Sequence, residues 1–470
     1  MCAIIKNIIL MQNRGYPMPV VKSKSKPHKP AVTIVLSFLI VIAIGSVLLM
    51  LPISSAERKF TDPITAVFTS TSATCVTGLV VADTGTYWSV FGQIVILLMI
   101  QIGGLGFVTL VSFFNFLLRK KMELHSIQVA SESVNTSGFS DAKQLIRYVI
   151  KISAACELIG ALLLMTSFVP KYGTYGIYIS IFLAISAFCN AGFDILGAVE
   201  TPYCSLVPLA SDPVVMTVVS LLIIAGGLGF FVWMDIIGYR KRKRLGLQSK
   251  IVLLFTLILI ASGTLLTLIT EWTNPDTIGS MNFGGKLSSS FFHSVSLRTA
   301  GFNTIDNAAL NSITKLLSIF IMFIGVAPGS TGGGIKITTF AIVIMTIVSV
   351  IKNKSDTIIM GRKIDKEAVY KSLSIIVLAA LIAGFTAAVL FYTNTGITGI
   401  DVAYEAVSAI ATTGLSAGVS AASGAVSRIA LCFAMFIGRV GPVSFAMLLS
   451  TNNDARLKNE VYPEAKLMVG

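Results

Sequence analysis

Four short segments each reach a glycine through small and hydroxyl-bearing residues. They are Ala73-Thr74-Cys75-Val76-Thr77-Gly78-Leu79, Phe188-Cys189-Asn190-Ala191-Gly192-Phe193, Leu297-Arg298-Thr299-Ala300-Gly301-Phe302 and Ala411-Thr412-Thr413-Gly414-Leu415. The glycines lie 114, 109 and 113 residues apart. After each comes an apolar stretch with a second glycine, Gly103, Gly226, Gly325 and Gly438, at 25, 34, 24 and 24 residues. A glycine lets backbone carbonyls turn toward an axis that a Cβ would crowd. Four such segments about one axis make a ring of carbonyl oxygens, the device that replaces the water shell of a monovalent cation. The chemistry implied is coordination of a desolvated cation. An enzyme is not implied, because no cluster of nucleophile, base and orienting group appears in the polar loops, and nothing resembles a soluble nucleotide-binding domain.

Each segment needs elements to hold it. Read in order, every unit has an apolar helix running outward, a short amphipathic helix ending in the glycine segment, and a helix running back. The units span 31–118, 148–239, 250–351 and 370–451, with tails at 1–30 and 452–470. The longer second unit carries an extra outer loop around 202–213. A period this regular predicts pseudo-fourfold packing about one axis. The short helices are expected to open at Asp62-Pro63 in the first unit and at Asp401 in the fourth, since Asp is a favoured N-cap and Pro suits the first turn. Their C-termini, partially negative, would point at the centre and favour a cation. Irregular backbone at membrane depth persists only when buried or lining water, which argues against simple packing elements.

Composition sets the solvent. Of 470 residues, 54% are hydrophobic and 12% charged, with a mean hydropathy of +0.83; a soluble chain carries about a quarter charged residues. The runs 31–51, 88–118, 251–270 and 372–400 are uncharged, as is 429–449 apart from Arg439, and 213–234 belongs with them. Each is near the roughly 20 residues that a helix needs to cross a bilayer. The fold class predicted is an all-α polytopic membrane protein: four helix–pore-loop–helix repeats, eight spanning helices plus four re-entrant pore helices.

The net charge of +14 is distributed asymmetrically. Lys22, Lys24, Lys26 and Lys29 precede the first span; Arg119, Lys120 and Lys121 follow the second; Lys143, Arg147 and Lys151 precede the third. Arg240, Lys241, Arg242, Lys243 and Arg244 follow the fourth, and Lys352, Lys354, Arg362, Lys363 and Lys366 precede the seventh. The opposite loops are assigned only Arg58, Lys59, Lys171 and Lys286. This is the positive-inside pattern, which places both termini in the cytoplasm and argues against nucleic acid. The N-terminus lacks a signal-peptide layout, because its basic residues follow the apolar stretch 4–10. Cys75, Cys156, Cys189 and Cys432 have no close-spaced partner and read as small packing residues. Neither His125 nor His293 has companions at metal spacing, and Glu157 and Asp235 read as helix-packing partners.

The third unit contains Gly325-Val326-Ala327-Pro328-Gly329-Ser330-Thr331-Gly332-Gly333-Gly334. Each glycine costs a helix about 0.8–1 kcal/mol relative to alanine, and proline about 3 kcal/mol, so the second helix of this unit must break here. Lys336 invites comparison with a phosphate-binding loop, but that pattern needs glycine directly before the lysine and a hydroxyl residue after it. Here Ile335 and Ile337 occupy those places. Arg439, between Gly438 and Gly441, sits mid-span in the last helix, where a charge must face a cavity or a partner.

These residues resemble the Trk/Ktr/HKT superfamily of potassium-translocating proteins, most closely the bacterial Ktr membrane subunit, over about residues 31–450. Members of the Trk branch carry an extra pair of helices; only the tail 1–30 precedes the first span here, so the eight-span Ktr branch fits. The resemblance implies potassium uptake across a bacterial cell membrane. It also implies ion-binding filter positions at Val76, Thr77 and Gly78; Asn190, Ala191 and Gly192; Thr299, Ala300 and Gly301; and Thr412, Thr413 and Gly414. Potassium at these positions is the only ion implied, with sodium as a co-activator and no cofactor in the chain. Some plant relatives replace the first filter glycine by serine and carry sodium, whereas this chain keeps all four glycines, which favours potassium. The residues after the glycines, Leu79, Phe193, Phe302 and Leu415, differ from the tyrosine common in tetrameric potassium channels, so selectivity weaker than theirs is an alternative. An alternating-access symporter is another, although its inverted repeats are not the pattern here. The family further implies a gate formed by the loop 325–336, with Gly325, Pro328, Gly329, Gly332, Gly333 and Gly334, opposed by Arg439. Arg298 is expected to buttress its filter segment through Glu405 or Asp194. The implied partners are a second copy of the chain, a cytosolic nucleotide-binding ring subunit and membrane lipid.

Overall fold

The computed structural model describes residues 30–106 and 139–442. The basic groups at 22–29 and 119–121, His125, the stretches 107–118 and 443–451, and the C-terminal tail lie outside the described residues. What is described is mostly helical; the sheet found is a two-stranded hairpin, Ile358–Ile359 paired with Arg362–Lys363.

Four helices are long and apolar enough to cross a bilayer: α1 (Pro30–Met50), α4 (Phe139–Tyr172), α8 (Leu247–Thr270) and α12 (Lys366–Thr393). Each is followed by a short helix: α2 (Pro63–Thr74), α5 (Tyr175–Cys189), α9 (Phe283–Ser296) and α13 (Gly399–Ala411). The sequence dictates where three of these begin. The Asp62 carboxylate accepts from the Thr65 N–H at 3.1 Å, and Asn282 Oδ1 from the Gly285 N–H at 2.8 Å. In the fourth unit the start is three residues earlier than expected. Thr398 is the N-cap, its hydroxyl accepting from the Asp401 N–H, while Asp401 accepts from the Thr398 hydroxyl at 2.6 Å. Asp401 thus closes a reciprocal cap from the first turn, a role that an acidic side chain at that position also fills.

The returning helices are shorter than expected of full spans. They are α3 (Val90–Leu105), α6 (Pro213–Gly227), α10 (Ser312–Phe323) and α14 (Ala425–Val440), none longer than 16 residues. At 1.5 Å per residue, 16 residues reach about 24 Å, short of a roughly 30 Å hydrocarbon core. The run 213–234 is cut in two, with α7 (Phe230–Arg242) turned 95° from α6. The physical cause is a glycine with positive φ just past each helix: Gly106 at 83°, Gly229 at 83° and Gly441 at 98°. In the third unit the chain leaves α10 at Phe323, runs through Gly329 (φ 66°), and resumes as α11 (Ile337–Ile351). The break expected in the third unit thus occurs in the second as well, while in the first and fourth units the helix ends at Gly106 and Gly441 and the chain beyond 106 and 442 lies outside the described residues.

Packing follows chain order around a circle. Within each unit the long helix packs on the short one. Between units, α3 packs on α5, α6 on α9, α10 on α13, and α14 back on α2. The faces turned away from this assembly carry bare Leu, Ile, Val and Phe side chains, such as Leu36, Leu162, Leu257 and Leu381. In water such surface would be unfavourable, and in lipid it costs nothing.

Candidate functional site

Each short helix ends in the same backbone geometry. The residue two before the glycine adopts a left-handed conformation, with φ of 56° at Val76, 59° at Asn190, 61° at Thr299 and 51° at Thr412. For residues with a Cβ, and above all for β-branched Val and Thr, this conformation is strained and persists only when the surroundings impose it. The glycines follow at 94°, 69°, 81° and 88°. Four different sequences thus share one irregular shape.

Serines impose it. Ser72 Oγ accepts from the Gly78 N–H at 3.2 Å, and Ser408 Oγ from the Gly414 N–H at 3.1 Å. Ser186 Oγ accepts from the Phe193 N–H at 3.0 Å, and Ser296 Oγ donates to the Phe302 carbonyl at 2.6 Å. All four serines are fully buried. They escaped notice in the sequence, yet a signal exists: Ser72, Ser186 and Ser408 each stand six residues before their glycine, and Ser296 stands five before Gly301.

The four segments meet. A Cβ built on Gly78 would lie 2.6 Å from the Ala191 carbonyl oxygen and 3.0 Å from Gly192 Cα. One on Gly192 would lie 2.8 Å from the Ala300 oxygen, and one on Gly301 2.8 Å from the Thr413 oxygen. One on Gly414 would collide with the Thr77 oxygen, closing the circle in chain order. Thr77, Ala191, Ala300 and Thr413 thus carry the carbonyls that border this ring, and only a residue without a side chain fits inside it. The hydroxyls of Thr77, Thr299, Thr412 and Thr413 are buried and have no hydrogen-bond partner among the described residues, which leaves their oxygens free. Leu79, Phe193, Phe302 and Leu415 are buried behind the ring.

On one side the ring opens into a cavity of about 250 Å³ whose lining includes all four glycines together with Asp83, Asp194 and Asp306. On the other side lies the loop of the third unit. Val326 and Ile335 brace its base through the Ile337 N–H to Val326 carbonyl and Gly325 N–H to Ile335 carbonyl bonds. Its tip presses on the ring: a Cβ on Gly332 would strike Thr299 Oγ1, and one on Gly333 would strike Thr412 Oγ1. The loop is also pinned to the break between α6 and α7. There the Ala327 N–H donates to the Gly227 carbonyl at 3.1 Å and the Phe230 N–H to the Gly329 carbonyl at 2.9 Å, and Thr331 Oγ1 donates to the Phe188 carbonyl of α5 at 3.0 Å.

Two cations hold the loop carbonyls. Arg439 donates through Nη1 to the Thr331 carbonyl and through Nη2 to the carbonyls of Gly103 and Gly104. It lies in the last turn of α14, which ends at Gly441. Lys336 donates to the Gly332 carbonyl at 2.8 Å and the Gly333 carbonyl at 3.2 Å.

Arg298 departs from expectation. It is 3% exposed and makes no ion pair with Glu405 or Asp194, and its Nε and Nη2 have no partner among the described residues. Both carboxylates are engaged by nearer donors. Glu405 accepts from Ser416 Oγ, the Ala417 N–H, and the Ser420 N–H and hydroxyl, and Asp194 from the Leu196 N–H. Glu157 does join helices, accepting from Gln101 Nε2 at 3.0 Å, and Asp235 caps the start of α8 through the Gly246 N–H and Ser249 hydroxyl. Lys315 and Arg428, near the starts of α10 and α14, join the small basic set on the cavity side. Lys315 pairs with Asp401 at 2.6 Å, and Arg428 reaches Thr65 Oγ1 at 3.4 Å. Cys75, Cys156, Cys189, Cys204 and Cys432 are free thiols.

Comparison with known proteins gives concordant results. The TrkH family, described as cation transport proteins, matches residues 1–457. The chain is 37% identical over 455 residues to the potassium/sodium uptake protein NtpJ of Enterococcus hirae, covering 96% of this chain and 99% of the relative. It is 36% identical over 442 residues to the Ktr system potassium uptake protein B of Bacillus subtilis, covering 94% and 97%. Among solved structures, the potassium transporter TrkH from Vibrio parahaemolyticus superposes with a TM-score of 0.68 at 17% identity, covering 91% of this chain and 86% of that one.

Proposed function

The chain belongs to the TrkH family of cation transport proteins, and from that premise we propose that it conducts potassium ions into a bacterial cell through the ring of four glycine segments. The observation that carries this reading is the closed circuit Gly78, Gly192, Gly301, Gly414, each within a Cβ's reach of the next. In this reading the chain is built of four helix–pore-loop–helix repeats in pseudo-fourfold arrangement, its returning helices broken at the inner membrane face. The ion sheds water in the acidic cavity. It is then coordinated by the carbonyls of Val76, Thr77 and Gly78 and their counterparts at 190–192, 299–301 and 412–414. The short helices contribute their partially negative C-termini.

Passage further inward is blocked by residues 325–336, with Gly332 and Gly333 against the ring and Arg439 and Lys336 holding the loop's carbonyls. The loop acts as the gate: its glycines permit movement, and both cations must release it before an ion can pass. A cytosolic nucleotide-binding ring subunit supplies the force, two copies of the chain assemble on it, and sodium acts as co-activator. Potassium uptake is the activity printed for the Bacillus subtilis relative. The basic residues at 240–244 and 352–366 then face the cytoplasm together with both termini.

Rubidium uptake into proteoliposomes at varied sodium tests the reading. The parent protein is expected to take up rubidium saturably against excess sodium, and Gly78→Ser to lose that preference because the added side chain displaces the Ala191 carbonyl. Unchanged rubidium affinity and sodium competition in the serine variants of all four glycines would remove the filter assignment.

A further inference from the structure

The extra outer loop of the second unit crosses the cavity mouth and is stitched on both sides. On one side Asp83, five residues past Gly78 and only 8% exposed, accepts from the Tyr203 N–H at 2.8 Å. The same carboxylate accepts from the Thr86 N–H and hydroxyl, each at 2.9 Å, and lies so close to Gly197 that a Cβ there would collide with it. The Tyr203 hydroxyl reaches the Val81 carbonyl at 3.4 Å. On the other side Asn303, two residues past Gly301, donates its N–H to Ser205 Oγ at 3.1 Å and accepts from the Leu206 N–H at 2.9 Å. Tyr203 and Ser205 both hold left-handed backbone, with φ of 61° and 47°. Such strain in residues bearing a Cβ survives only where the surroundings over-determine it. Asp83, Tyr203, Ser205 and Asn303 all line the cavity above the glycine ring. The fourth unit is outside this belt: its post-glycine segment, Ser416 to Ser420, is tied to Glu405 of its own short helix.

We propose that residues 203–206 are a selectivity brace that locks the first three units to one another just outside the ring, with Asp83 and Ser205 as its positioning residues. The brace rests on reading the four segments as the filter. A ring of carbonyls discriminates between potassium and the smaller sodium only if it resists contracting around the smaller ion or losing oxygens from it. The hydrogen bonds among Asp83, Tyr203, Ser205 and Asn303 supply that resistance for three units, while the fourth is held separately, by Glu405 on its own post-glycine segment and by Lys315 on Asp401.

The test compares Ser205→Ala, Asp83→Ala and Asp83→Asn in rubidium uptake by proteoliposomes, normalised to inserted protein. Ser205→Ala should let sodium inhibit at about fivefold lower concentration, with maximal rate within about twofold of the parent; Asp83→Ala should shift sodium inhibition in the same direction and also lower the maximal rate, because it removes a cavity carboxylate. Asp83→Asn, which keeps an acceptor oxygen in place, should fall between Asp83→Ala and the parent. If Asp83→Ala does not insert, Ser205→Ala decides alone, since it removes one exposed-side acceptor and no helix cap. Parental rubidium KM and sodium inhibition in Ser205→Ala, with only yield or maximal rate altered, would overturn the brace. Absence of rubidium uptake by the parent itself would overturn the filter reading and the brace with it, and so is distinguishable.

Discussion

The two sides of the glycine ring are held by opposite chemistry. On the cavity side, carboxylates accept from backbone N–H groups: Asp83 from Tyr203, Glu405 from Ala417 and Ser420, Glu271 from Asn311 at 2.9 Å. On the loop side, cations donate to backbone carbonyls, Lys336 to Gly332 and Gly333, Arg439 to Thr331. In the proposed reading, the Asp83, Asp194 and Asp306 carboxylates of the cavity lie where a cation arrives. On that reading the second arrangement puts positive charge where the cation would leave, so its contacts would have to be temporary. The outer anchors come from buried or partly buried side chains fixed by several bonds each, while the inner ones grip a glycine-rich segment. The difference teaches that one side is built to stay and the other to let go.

The strongest way to break this picture is at the ring between them. Gly414→Ser should have the largest effect of the four serine variants, because its Cβ would come closest of the four to a carbonyl oxygen of the neighbouring segment. Discrimination between rubidium and sodium should fall by at least roughly tenfold, about 1.4 kcal/mol. A ranking with Gly301→Ser worse than Gly414→Ser would contradict the geometry. Deleting residues 329–334 comes next: rubidium flux should rise roughly fivefold, a shift of about 1 kcal/mol in the open population. A variant that inserts normally and conducts no better than the parent would show the segment to be only a kink.

Single removals of the inner cations should act in the same direction with less force. Arg439→Ala and Lys336→Gln are each expected to raise flux by roughly threefold, about 0.65 kcal/mol, with thermal stability little changed. The outer anchors should behave in the opposite way. Lys315→Met, which strips the partly exposed Asp401 of its ion pair, should lower thermal stability without raising flux; a fully buried pair broken this way costs about 3–5 kcal/mol, and this one less because Asp401 is partly exposed and Thr398 remains on it. If Lys315→Met opened the pathway, the contrast between the sides would fail. The smallest effect is expected at the periphery. Changing Arg240, Lys241 and Arg242 to Gln removes charges worth about 1 kcal/mol each at a lipid surface, and should reduce insertion while sparing uptake per inserted molecule. Lost co-purification of a cytosolic partner would instead assign those residues to docking.

Much was legible in the sequence because it depends on local chemistry. Apolar runs named the solvent, the period of the glycine segments named four units, Asp62-Pro63 marked a helix start, and five glycines with a proline marked the broken helix. The Thr398 cap was missed because Asp401 is also a good helix opener, and choosing between them depends on Lys315, 86 residues away, which holds the Asp401 carboxylate. The short returning helices were missed for a similar reason. A single glycine within an apolar run is compatible with a span, and only its backbone angle decides that Gly106, Gly229 and Gly441 end one.

By itself, then, the sequence determined the membrane environment, the fourfold period and the positions where only glycine is admissible, since burial preference, repetition and steric freedom are properties of residues in order. Tertiary structure alone decided which carbonyls border which glycine and that Arg298 has no carboxylate partner among the described residues. It also decided that the outer loop of the second unit joins Asp83 to Asn303. Those facts depend on groups more than a hundred residues apart arriving within 3 Å of one another, and no local preference encodes a distance across the fold.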